Sequence, residues 1–283
     1  MSALIQNTPE WIEMRRGKIG ASDAPVIMGV SPWKTPYQLW EEKLGIGKGQ
    51  SDNHAMQRGR ELEEKARQAF ENHTGLIVVP QVIQHPEYEW MIASLDGIDF
   101  AHKNMVEIKC PGKEDHQMAR EGLIPPKYYP QLQHQMEVAG LIKMFYYSYD
   151  GLDGLCIEVY KDEKYVDKLI KEELEFWRYM QELEAPPMCD KDYTKKDDEL
   201  WGAASELYRK CREDLELLKA REEELRETII CLAGKSNATG AGIKLSRVIR
   251  KGGVDYKIIP ELQQVNLDAY RKAPVESWRI SII

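Results

Sequence analysis

Residues 94–110 constrain this chain more than any other stretch. They read Ser-Leu-Asp-Gly-Ile-Asp-Phe, then a short polar turn Ala-His-Lys-Asn, then Met-Val-Glu-Ile-Lys-Cys. Two apolar arms across a polar turn make a β-hairpin. Side chains alternate across a strand, so Glu107 and Lys109 share one face while Val106 and Ile108 point the other way into a core. Asp96 lies on the first arm, where it can come alongside. Two carboxylates and a lysine on one edge of a small sheet outline a metal-dependent hydrolysis site. The acids suit hard divalent cations, and the lysine steadies a charged oxygen. The same residues also describe a plain surface, because Asp-Gly commonly ends a strand in a turn and Glu-x-Lys commonly forms a solvated cross-strand pair. The rest of the chain has to separate these readings.

At 283 residues the chain suffices for one large domain or a core with an appendage. No apolar run approaches the roughly 18 residues that span a bilayer, and the first residues lack the basic start and apolar core of a signal peptide. The five cysteines, at 110, 156, 189, 211 and 231, are scattered without a Cys-x-x-Cys pair. Neither a disulfide framework nor a zinc or iron–sulfur site is expected, and reducing cytoplasm is the expected compartment. The net charge of −8 argues against a uniformly basic nucleic-acid binder. DNA binding needs only a local basic groove, however, and residues 235–283 carry 9 Lys and Arg against 4 Asp and Glu.

Along the chain, a helix is expected over 9–16, ended by Gly17 and Gly20. Ser22 reads as the N-cap of a second short helix, and with Arg15 beside it this start is a phosphate-sized anion site or only a cap with a surface charge. Thr35, Pro36 and Gly45 bound a helix over 35–46. A strongly amphipathic helix over 55–75 carries Glu63 next to its apolar stripe. A buried strand over 76–83 contains Pro80 as an edge position or a bulge, and 112–125 reads as a mobile loop. From Tyr128 a helix places Leu132, Met136 and Ala139 on one side and Gln131 with Gln135 on another, facing a site or solvent. A second hairpin covers 144–160, and a helix covers 162–184 up to Pro186-Pro187. These elements predict an α/β core around a central mixed sheet flanked by helices. Residues 188–198 read as a charged linker. A long helix over 199–232 has apolar residues at Ala204, Cys211, Leu218, Leu225 and Leu232. Last comes a small basic hairpin module with strands over 243–249 and 254–259. The expected division is thus a core at 1–187 and an extension at 188–283.

Taken together, five motifs in order resemble the phage lambda exonuclease family, the YqaJ-type viral recombinases of the PD-(D/E)xK nuclease superfamily. They are Arg15-Arg-Gly-Lys-Ile-Gly-Ala-Ser22, Arg58-Gly-Arg-Glu-Leu-Glu63 with Ala66-Arg67, Ser94-Leu-Asp96-Gly97, Glu107-Ile-Lys109-Cys110-Pro111 and Tyr128-Tyr-Pro-Gln131. The resemblance covers about residues 9–185. Leu95 departs from it, standing where the family often has proline. The resemblance implies a restriction-endonuclease-like core and a site in which Asp96, Glu107, Glu63 and the Ile108 carbonyl hold Mg²⁺ or Mn²⁺. Lys109 would orient the attacking water. Arg15, Ser22, Ser94 and Gln131 would form a pocket for a 5′-terminal phosphate.

The implied activity is 5′→3′ digestion of one strand of duplex DNA from an end, leaving a 3′ overhang for recombination by single-strand annealing. The implied partners are DNA ends, two further copies in a ring-shaped homotrimer, and an annealing protein, within a bacterial cell as a phage or prophage product. A ring reconciles the acidic net charge with DNA binding, since only its channel need be basic. Two rivals stand beside this reading: a restriction-type or repair endonuclease with the same metal site, and an inert DNA-binding recombination accessory that kept the fold. The extension beyond about 190 inherits no role.

Overall fold

The computed structural model describes residues 15–47, 54–234 and 236–250, together with 252, 259, 265 and 272. Most of the expected helix over 9–16 and of the expected strand over 254–259 lies outside these residues. Two compact units divide the chain, Met1–Thr194 and Lys195–Ile283.

The first unit runs β1 (Ile19–Gly20), α1 (Ala24–Ile27), α2 (Pro36–Leu44), α3 (His54–Thr74), β2 (Val79–Gln84), β3 (Met91–Ile98), β4 (Met105–Lys109), α4 (Lys113–Arg120), α5 (Tyr129–Ala139), β5 (Lys143–Tyr149), β6 (Gly154–Tyr160) and α6 (Glu163–Glu182). Local chemistry sets the helix ends. Thr35 Oγ1 accepts the Gln38 N–H while the Gln38 side chain accepts that of Thr35, a reciprocal cap at the start of α2. Gly140, at φ 64°, takes the left-handed conformation that ends α5. Asp162 caps α6 through the Tyr165 N–H.

The sheet is mixed, and β3 is its hub. β2 lies antiparallel along one full edge of β3, from Gln84 opposite Ile92 to Val79 opposite Ile98, with an irregularity between Val79 and Gln81 at Pro80. The other edge is shared. β1 pairs parallel with Met91 and Ile92, and β4 pairs antiparallel with Gly97 and Ile98. Among the described residues, 93–96 therefore have no strand partner on that side. Beyond β4 come β5, parallel to it, and β6, antiparallel to β5.

Two apolar clusters pack the faces. Ile19, Leu39, Met91, Leu95, Met105, Leu132, Met136 and Tyr146 belong to the larger. Ala66 and Phe70 of α3 pack with Val106, Ile108 and Tyr147 in the smaller. Each such side chain contributes roughly 1.5–3 kcal/mol on burial. Val106 and Ile108 thus point away from Glu107, as their alternation requires.

Four expectations change. The strand over 76–83 starts later and is exposed to half-buried rather than buried, because among the described residues β3 is its one strand partner. The loop over 112–125 contains α4, whose Glu114 and Asp115 favour its N-terminus, whose Arg120 favours its last turn, and which buries His116 and Ala119. Ser22 does not cap α1; Asp23 stands in the N-cap position and Ser22 bonds to Arg15. The linker over 188–198 is in part tied back to the first unit, since Thr35 Oγ1 donates to Asp192 and Gln38 Nε2 to the Lys191 carbonyl.

The second unit contains α7 (Glu199–Leu232), capped by Asp198 on the Trp201 N–H, and no α7 residue is buried. A hairpin of β7 (Ala238–Gly240) and β8 (Ile243–Leu245) follows. The expected strand over 243–249 is thus only three residues long, and its partner is the stretch before the glycine turn.

Candidate active site

The unpaired edge of β3 is where functional side chains collect. Alternate residues present their carbonyls to the same edge, and here helices satisfy them in place of a strand. His134 Nε2 donates to the Ile92 carbonyl (2.9 Å), Gln135 Nε2 to that of Ser94 (3.3 Å) and Arg67 Nε to that of Asp96 (3.2 Å). Three donors from α5 and α3 thereby hold the sheet open between β1 and β4.

Asp96 and Glu107 come from β3 and β4 at the mouth of this split. Asp96 Oδ2 accepts the Ile108 N–H at 2.8 Å. Glu107 is 2% exposed. Its Oε1 accepts from Lys109 Nζ (2.5 Å) and Gln131 Nε2 (2.6 Å), and its Oε2 accepts from Gln135 Nε2 (2.5 Å). Lys109 Nζ also lies 5.4 Å from the centre of the Tyr128 ring. Gly97 is required beside Asp96, because a Cβ there would meet Val78 Cγ2 at 2.5 Å and Val106 Cγ1 at 3.0 Å.

Burial and the nearby Glu107 charge push the Asp96 carboxyl up to about 8, against the opposing pull of Lys109 and the Ile108 N–H. Burial alone would lower Lys109, but Glu107 and Asp96 outweigh it and hold the ammonium charged. Burial raises the Tyr128 hydroxyl to about 12. Two acids therefore face one ammonium, and near neutral pH the Asp96 carboxyl keeps its proton. Two carboxylates and a backbone carbonyl are the hard oxygen donors that Mg²⁺ or Mn²⁺ takes, and the disfavoured charge on Asp96 is what a cation relieves. These residues fit such an ion. Among the described residues, no three His, Cys, Asp or Glu side chains gather for a metal. Glu63 instead pairs with Arg67 Nη2 at 3.0 Å, on the guanidinium that also holds the Asp96 carbonyl. Its charge still contributes to the rise of Asp96.

The second group lies where β1 leads into α1. Arg15 Nη2 donates to Ser22 Oγ at 2.8 Å. Asp23 accepts the Gly20 N–H (2.8 Å) and pairs with Lys43 Nζ (2.5 Å), and Arg15 Nη2 lies 3.6 Å from it. Lys43 Nζ also donates to the carbonyls of Arg15 (3.1 Å) and Lys18 (2.8 Å). Burial would raise Asp23, but Lys43 and Arg15 outweigh it and hold the carboxyl below its ordinary value. Arg15 and Ser22 thus meet each other. Gly20 pairs with Ile92, which puts their loop beside the strand that carries Ser94. Gln131 lies on Glu107, and Ser94 joins that group through its carbonyl and Gln135.

Sequence reasoning assigned no role to Gln135, Arg67, Lys43 or His134. The four-residue spacing of Gln131 and Gln135 was a usable signal. Lys43 gave none, because a lysine late in an amphipathic helix reads as surface; here Asp23 draws it inside.

The family model of the YqaJ-like viral recombinase domain matches residues 10–142. The uncharacterized protein YqaJ of Bacillus subtilis (strain 168) is 32% identical over 174 residues, 59% of this chain and 54% of that protein. The chain therefore spans about half the length of this curated relative. The crystal structure of LHK-Exo, an alkaline exonuclease from Laribacter hongkongensis, is 30% identical with a TM-score of 0.54, covering 62% of this chain and 94% of that one. The structure of LHK-Exo in complex with dAMP is 29% identical, with the same TM-score and the same coverage. A mixed sheet split at β3, two acids and a lysine at the split, and this likeness over nearly all of LHK-Exo place the chain in the YqaJ-like viral recombinase family.

Proposed function

We propose that the protein is a divalent-metal-dependent deoxyribonuclease that digests one strand of linear duplex DNA 5′→3′ from a 5′-phosphorylated end, leaving a 3′ overhang for recombination by strand annealing. The observation that carries this reading is the grouping of Asp96, Glu107 and Lys109 at the unpaired edge of β3, where two acids share one ammonium out of water. The likeness to an alkaline exonuclease supports it. Asp96, Glu107 and the Ile108 carbonyl would hold Mg²⁺ or Mn²⁺, with Glu63 as the further carboxylate from α3. A bound cation supplies Lewis-acid polarisation of the scissile phosphate. Lys109, kept protonated by its two acidic neighbours, orients the attacking water and offsets charge developing on the phosphate oxygens. Arg15 and Ser22, with Ser94 and Gln131, bind the terminal phosphate and so set which bond is cut. The chemistry belongs to residues 1–187, and a homotrimeric ring and an annealing protein complete the proposed assembly.

Linear duplexes with a 5′ phosphate, linear duplexes with a 5′ hydroxyl, and a closed circle, each incubated in Mg²⁺, test the proposal. Rapid 5′→3′ loss of the phosphorylated strand with an intact circle is expected. Cutting of the circle would instead favour an endonuclease, and no cutting of any substrate would favour an inert accessory protein.

A further inference from the structure

Gln131 and Gln135, one helical turn apart, grip the same carboxylate at different depths. Gln131 reaches Glu107 Oε1 and shares it with Lys109, whose side chain is partly open to solvent. Among the described residues Gln135 alone reaches Oε2, and the same amide nitrogen meets the Ser94 carbonyl. Gln135 is fully buried. The residue before it, His134, is fixed between the Ile92 carbonyl and Glu173 Oε1 (2.7 Å), so this turn of α5 cannot roll without breaking buried bonds. Gln135 Oε1 is buried and has no hydrogen-bond partner among the described residues. Turning the amide over would set that oxygen against two acceptors, Glu107 and the Ser94 carbonyl. An unmet buried acceptor is destabilising, and here it accompanies a nitrogen that bridges β3 and β4 across the split.

We infer that Gln135 is a positioning residue that pins Glu107 Oε2 across the split sheet, so that Oε1 is the oxygen presented to a divalent cation. Gln131 and Lys109 are then the exchangeable partners of Oε1, free to turn to the DNA phosphate when the cation takes their place. This rests on the reading above that Asp96 and Glu107 hold the cation. A carboxylate fixed by one oxygen presents the other in a single orientation, and loss of such support around a metal ligand typically weakens metal binding about 10–100-fold.

The test measures Mn²⁺ binding to the full chain by calorimetry, and kcat and KM on a 5′-phosphorylated linear duplex. Gln135→Met removes the donor at similar volume. It should weaken Mn²⁺ binding at least ~10-fold and lower kcat, with KM for DNA changed less than about twofold. Gln131→Met should keep Mn²⁺ affinity within about threefold and raise KM instead. Gln133→Met controls for damage to α5: the Gln133 amide donates to the Tyr160 carbonyl (3.0 Å) and accepts the Asp162 N–H (2.8 Å), far from any acid of the site. It should lower the melting temperature and leave Mn²⁺ binding unchanged. If Gln135→Met does not fold, Gln135→Asn, too short to reach Glu107, takes its place with the same readouts. Wild-type Mn²⁺ binding in the Gln135 variant, or an equal loss in the Gln131 or Gln133 variant, overturns the inference. A wild-type protein that binds Mn²⁺ but leaves DNA intact overturns only the nuclease reading.

Discussion

Two buried ionic groups, built from the same kinds of residue, are balanced in opposite senses. Around Asp23 stand two cations, Lys43 and Arg15, and the acid is held below its ordinary value. Around Lys109 stand two acids, Asp96 and Glu107, and Asp96 is pushed up to about 8. The first group sets two cations on one acid and is joined to Ser22, which suits an anion. The second sets two acids on one ammonium and suits a divalent cation. A third pair, His134 with Glu173, is fully buried, offers one partner to each group and faces no surface. In this fold a balanced pair holds helices together, whereas an unbalanced one is set to receive a ligand.

Breaking the first group should have the largest effect. Lys43→Met leaves Asp23 buried with the Gly20 N–H and, as its cation among the described residues, Arg15 at 3.6 Å, and removing one partner of a buried pair costs about 3–5 kcal/mol. Chemical denaturation should show this loss, and Asp23→Asn in the same chain should restore much of it. If Lys43→Met alone is neutral, the anchor is not a coupled pair.

The second group should fail differently. Asp96→Asn should lower kcat at least ~10²-fold while DNA-end binding persists. Its effect on stability has the opposite sign. The folded carboxyl titrates near 8, above the unfolded value of about 3.9. A raised acid contributes its stability below the unfolded value and loses it as pH rises through the folded one. In EDTA the wild-type protein should therefore melt lower at pH 8 than at pH 6, by roughly 5–9 °C. Mg²⁺ should recover the difference, and Asp96→Asn should abolish the slope. A pH-independent melting temperature in EDTA would show that the Asp96 carboxyl is not raised.

The smallest effect is expected at the edge of the first group. Arg15→Ala should raise KM for 5′-phosphorylated ends roughly 10-fold, as loss of a charge-assisted bond implies, with kcat little changed. Digestion of 5′-hydroxyl ends should be unaffected. An equal effect on both kinds of end would detach Arg15 from phosphate recognition.

Much of this arrangement was legible in the residues. The hairpin of β3 and β4 was written in its alternation and polar turn, and helices α2, α3, α5 and α6 in their periodicity and caps. The hidden parts share one cause. α4 is short and polar, and only its burial of His116 and Ala119 against the sheet makes it a helix rather than a loop. β2 reads as a core strand because Ile77, Val78, Val79, Val82 and Ile83 are apolar, yet its one neighbour leaves it at the edge. Lys43 reads as a solvent-facing position, and Gln135 as facing either a site or solvent, because no local pattern announces a buried partner that lies far along the chain.

The sequence by itself determined most of the elements, the family and the identity of Asp96, Glu107 and Lys109 as one group, because strand alternation and the five motifs are local properties. Tertiary structure alone decided that β1 and β4 divide one edge of β3 and leave 93–96 open. That follows from pairing between segments some 70 residues apart, which no local periodicity encodes. It also decided that side chains of α3 and α5 fill the gap, since backbone carbonyls left without a strand must find donors wherever the packing supplies them.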